Sequence, residues 1–110
     1  MFEEYNSNMS KVYKQYERSE TVYVQLKSYN SSGTLTALSG GATCTIMNPQ
    51  GTVLVDAQAM STDETGIYYY KYTLDSAAIL GKYWVTAVGT DGTDVTIEKD
   101  AFLVQTKFGD

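Results

Sequence analysis

The sequence predicts an all-β sandwich of about seven short strands, and three observations carry that prediction. Short runs alternate apolar and polar residues with a period of two. Gly, Asn and Asp turns punctuate these runs at spacings of roughly ten residues. From residue 21 onward, no apolar stripe at helical spacing interrupts them.

Ahead of the first strand, Phe2, Tyr5, Met9, Val12 and Tyr13 recur at helical spacing. Residues 1–15 are therefore expected to be a short helix, or an arm that orders on a partner, with the sandwich over 16–106 and a tail over 107–110. TVYVQLK (21–27) places Val22, Val24 and Leu26 on one face and Tyr23, Gln25 and Lys27 on the other. ATCTIM (42–47) puts Cys44 and Ile46 together, and NPQG (48–51) supplies the tight turn into TVLV (52–55). In TGIYYYKYTL (65–74), Tyr68, Tyr70, Tyr72 and Leu74 share the face expected to be buried, while Ile67, Tyr69, Lys71 and Thr73 share the other. DSAAIL (75–80) is expected to form one helical turn closed by Gly81. KYWVTAVGT (82–90) then runs through the Asp91-Gly92 hairpin signal into DVTIE (94–98), with AFLVQ (101–105) as a separate last strand. The predicted core is Val22, Val24, Leu26, Cys44, Ile46, Tyr68, Tyr70, Tyr72, Tyr83, Val85, Phe102 and Val104.

A chain of 110 residues is the size of one domain that buries a single core without disulfides or metal. Thirteen acidic residues against eight basic ones give a net charge of -5, which repels nucleic acid and anionic membranes, so neither is an expected partner. No apolar run approaches the ~20 residues of a spanning helix. The first twenty residues contain no signal-peptide core, and the single cysteine offers no disulfide framework. Synthesis in a reducing cytoplasm is expected.

YERSETVYVQL, TCTIMNPQGTVLV, TGIYYYKYTL, LGKYWVTAVGTDG and FLV occur in an order that resembles bacterial and viral immunoglobulin-like domains of the macroglobulin-like β-sandwich type. The resemblance runs from Tyr16 to Val104, with Arg18 and Ser19 standing where that family usually carries Pro-Gly. It implies an immunoglobulin-like antiparallel sandwich and a non-catalytic role in protein-protein contact. The favoured setting is a structural or decorating subunit of a tailed-virus particle, at the capsid or head-tail region. That implies a virion location after synthesis in the host cytoplasm. Capsid or connector proteins, or a second copy of the chain, would be the partners. The alternative is a carbohydrate-binding or adhesive cell-surface module.

With no histidine in the chain, neither a Ser-His-Asp triad nor a Cys-His pair can be assembled. No catalytic residue, metal or cofactor is expected. Cys44 alternates with Ile46 on an apolar face and reads as a small buried hydrophobe. Asp63 and Glu64 are adjacent and read as turn residues, because paired acid-base work needs carboxyls that converge on a substrate. Asp91, Asp94, Glu98 and Asp100 fall near one hairpin end, but lack the packed rhythm of a calcium loop. Tyr69 is expected to pair with Tyr23 across neighbouring strands.

If 43–47, 82–88 and 101–105 share a sheet, as the resemblance implies, then Met47, Trp84, Val88 and Leu103 point away from the core. A row of apolar residues centred on Trp84 marks an expected partner-binding face, with Phe2, Tyr5 and Met9 as arm contacts. The competing expectation is that the N-terminal segment folds back over the same row.

Overall fold

The computed structural model describes residues 13–106, and all of its regular structure is β. The strands are β1 (Lys14–Tyr16), β2 (Thr21–Lys27), β3 (Ala42–Met47), β4 (Val53–Ala59), β5 (Ser61–Glu64), β6 (Ile67–Thr73), β7 (Gly81–Asp91) and β8 (Asp94–Val104). They form a five-stranded sheet in the order β1-β8-β7-β3-β4 and a three-stranded sheet in the order β2-β6-β5. β1 runs parallel to β8, and the other pairs are antiparallel.

Eight strands replace the expected seven for three local reasons. The segments 94–98 and 101–105 are not two strands: β8 continues through Lys99 and Asp100, in unbroken register with β7 from Asp91↔Asp94 to Gly81↔Val104. β1 and β5 are short edge strands whose pattern is too brief to read as alternation. Asp63 and Glu64, expected in a turn, are exposed members of β5, which shifts register between Thr62 and Glu64. β1 also moves the start of the sheet to Lys14, two residues before the expected boundary.

No helical turn forms over 75–80. Asp75 instead closes a turn, its carboxylate accepting from Ala77 N–H at 2.8 Å and its carbonyl from Ala78 N–H at 3.1 Å. The expected helical spacing over 2–13 lies almost wholly outside the described residues, as do Phe2, Tyr5, Met9 and the tail; Tyr13 itself is not helical.

The NPQG turn is organised by Asn48, which is buried at its base. Its side-chain oxygen accepts from the N–H groups of Gln50 and Thr52, both at 2.9 Å, and its own N–H donates to the Thr52 carbonyl. In the β7-β8 hairpin the central pair is Gly92-Thr93, one residue later than the Asp-Gly signal implies. Gly92 sits at φ 65, the left-handed value that favours glycine at the first central position.

The core lies between the sheets. Val22, Val24, Leu26, Cys44, Ile46, Tyr68, Tyr83, Val85, Phe102 and Val104 are buried, together with Tyr16, Met60, Leu74 and Ala87. Tyr70 and Tyr72, expected inside, are only half-buried and pack against the rim of this cluster. A half-buried tyrosine keeps its ring on apolar neighbours and its hydroxyl toward water. Phe102 is the aromatic centre, stacked on Tyr83 at 5.0 Å between centroids and met edge-on by Tyr16 at 5.4 Å.

Candidate protein-binding face

The antiparallel register settles which side chains leave the core on the outer side of the five-stranded sheet. Tyr83, Val85 and Ala87 are buried, so Lys82, Trp84, Thr86 and Val88 of β7 point outward. Met47 lies opposite both Val53 and Trp84, and Trp84 lies opposite Ala101. Val53, Met47, Trp84 and Ala101 thus form an apolar row across β4, β3, β7 and β8. Trp84 is 46% exposed and Val53 49%, while Met47 is half-buried.

The other two expected face residues flank this row. Leu103 sits opposite Lys82, next to the row, and Val88 lies four residues along β7 from Trp84, opposite Thr43 and Ile97. Val95 and Ile97 extend the same face along β8 and are 59% and 56% exposed. Sequence reasoning left them out. Their alternation with Asp94, Thr96 and Glu98 is legible, but only the paired sheets show that nothing among the described residues covers them.

Lys82 gives the face its local charge. Its ammonium lies 4.2 Å from the Trp84 ring centroid and 4.4 Å from that of Tyr13, and it donates to the Tyr13 hydroxyl at 3.0 Å. A cation held between two ring faces stiffens all three side chains. The outward positions of β3, β7 and β8 carry Lys82 and Lys99 but no carboxylate, because Glu98 and Asp100 alternate to the other side of β8.

The remaining expected residues give no reactive cluster. Cys44 is fully buried between the sheets, and burial pushes its thiol from 9.0 up to about 11, so the nucleophilic thiolate is suppressed. Asp91 accepts from Ser39 N–H at 3.2 Å, and Asp100 accepts from Ala101 N–H at 2.8 Å. Among the described residues no three His, Cys, Asp or Glu side chains are grouped to hold a metal ion. Tyr23 and Tyr69 do stack, at 5.7 Å and 10° between planes. They meet diagonally, since Tyr23 lies opposite Lys71 and Tyr69 opposite Gln25. Compared with protein-family models, curated proteins and solved structures, the chain shows no match.

Proposed function

We propose that the chain is a non-catalytic protein-binding module that works through the outer face of its five-stranded sheet. The observation that carries this reading is the Val53-Met47-Trp84 row, continued by Val95 and Ile97, on a sheet whose other face is filled by the core. Covering these side chains removes on the order of 300 Å² of apolar surface from water, about 7 kcal/mol before the costs of association. Tryptophan with aliphatic neighbours is the composition of an interface anchor.

An immunoglobulin-like arrangement is part of the same proposal. Two features support it: the pairing of a β2-β6-β5 sheet with a β1-β8-β7-β3-β4 sheet, and a tyrosine near the start of β7 whose hydroxyl donates back to a carbonyl four residues upstream. The resemblance supplies the setting, a structural or decorating subunit of a viral particle, and the geometry supplies the surface. The carbohydrate reading gains no such support, because Lys82 lies over the Trp84 ring, where a sugar would stack.

Trp84→Ser tests the proposal. The expected result is an unchanged denaturant midpoint for the isolated chain and loss of co-sedimentation with the protein assembly it joins. Unfolding of the isolated chain, with assembly of the folded remainder intact, would assign Trp84 to the fold instead. Trp84-dependent binding on a glycan array would favour the adhesive module.

A further inference from the structure

The outer face of the five-stranded sheet carries charge in a pattern that restricts its partner. In the β7-β8 register, Lys82, Trp84, Lys99 and Ile97 occupy four successive outward steps, two residues apart. Basic and apolar side chains therefore alternate along the pair. The two lysines stand on neighbouring strands with Cα positions about 14 Å apart, from the rise per residue and the strand spacing. Lys82 is half-buried with its ammonium over the Trp84 ring, and Lys99 is exposed. No carboxylate shares their side of β3, β7 or β8, in a chain with thirteen acidic residues against eight basic ones.

We propose that the occupant of this face is a different protein whose contact surface is acidic as well as apolar, with carboxylates that meet Lys82 and Lys99 on either side of the group covering Trp84. The inference rests on the protein-binding reading above and names the chemistry of the partner. Charge complementarity selects it. In a two-fold contact a second copy presents the same face, so the lysines would lose water with no carboxylate on either side to replace it. Nucleic acid or an anionic membrane would meet two lysines but also the net charge of -5. A protein can place carboxylates at two points and apolar groups between them, which fixes register and suppresses wrong partners.

Selection of a phage-displayed random dodecapeptide library on the full chain tests the inference. Enriched peptides should combine two or more Asp or Glu with aromatic or aliphatic residues. As synthetic peptides they should bind at least ~10-fold more weakly to Lys99→Glu and to Trp84→Ser than to the parent chain. Exchanging the responsible peptide Glu for Lys should restore binding to Lys99→Glu, a rescue that a merely structural effect of the substitution would not give. Trp84-dependent peptides without acidic enrichment or any response to Lys99→Glu overturn the inference and leave the protein-binding reading standing. Peptides indifferent to both substitutions, or no enriched peptide, also overturn it, whereas the protein-binding reading falls on the co-sedimentation of Trp84→Ser. Trp84-dependent dimerisation in sedimentation velocity overturns it in favour of a second copy, and Trp84-dependent sedimentation with phosphatidylserine vesicles in favour of a membrane. Peptide binding that arises only once residues 1–12 are removed overturns it too, assigning the face to the chain's own N-terminal segment.

Discussion

The Tyr83 hydroxyl donates to the Ile79 carbonyl oxygen at 2.7 Å while its ring stacks on Phe102. One residue thereby fastens the β6-β7 connection to the core from the start of β7. Tyr83→Phe keeps the stack and removes the bond, and is expected to cost about 1–2 kcal/mol, since the carbonyl loses its partner. Tyr83→Ala also empties an aromatic-sized space and should cost about 3–5 kcal/mol. Urea midpoints of the two variants measure the hydroxyl and the ring separately.

Among the clustered tyrosines of β6, Tyr68 should matter most. It is the buried one, and its hydroxyl accepts from Leu38 N–H at 2.8 Å, tying the 28–41 loop to the sheet. Tyr68→Ala is expected to cost about 3–5 kcal/mol. Tyr70→Ala, at the rim, should cost less, and Tyr69→Ala on the outer side of β6 less again. Thermal melts of the three variants rank them, and any other order would mean that β6 is registered differently on β2.

Cys44 makes stability pH-dependent in the alkaline range. Burial raises its folded pKa from 9.0 to about 11, so the fold favours the protonated thiol. Its contribution, on the order of 2 kcal/mol, is complete below pH 9 and is lost as pH rises toward 11. Burial also raises Tyr72, with Asp75 and Tyr70 adding to the effect, and raises Tyr83, so their contributions fall in the alkaline range too. Denaturant midpoints should decline above pH 9, less steeply in Cys44→Ala. At neutral pH an aromatic disulfide reagent should label Cys44 only at the rate of unfolding.

Gly66 and Gly92 both hold positive φ, yet alanine should be tolerated at only one of them. At Gly92 an added Cβ meets nothing within 4 Å, and the cost is the left-handed backbone alone, about 1–2 kcal/mol. At Gly66 the Cβ falls 2.8 Å from Thr36 N and 3.0 Å from Ser28 O. Those atoms hydrogen-bond each other, and Ser28 N–H donates to the Gly66 carbonyl, so the backbone cannot step aside. Gly66→Ala should exceed Gly92→Ala by at least ~2 kcal/mol in chemical denaturation.

The sequence by itself determined the all-β class, the inner faces of β2, β3 and β7, and the outward direction of Trp84 and Met47. Each follows from a two-residue period that local chain geometry imposes, whatever the strand's neighbours. Tertiary structure decided what depends on neighbours. Alternation marks Tyr68, Tyr70 and Tyr72 alike, but only Tyr68 is buried, while Tyr70 and Tyr72 pack against the core and stay partly exposed. Val95 and Ile97 alternate like any half-buried strand and stay exposed: β7 pairs with that part of β8 on one side, but among the described residues no strand pairs with its other edge. The Tyr13-Lys82-Trp84 stack joins residues about seventy positions apart through the parallel pairing of β1 with β8. A three-residue edge strand has too few alternations to announce itself, so that pairing exists only once the sheet is assembled.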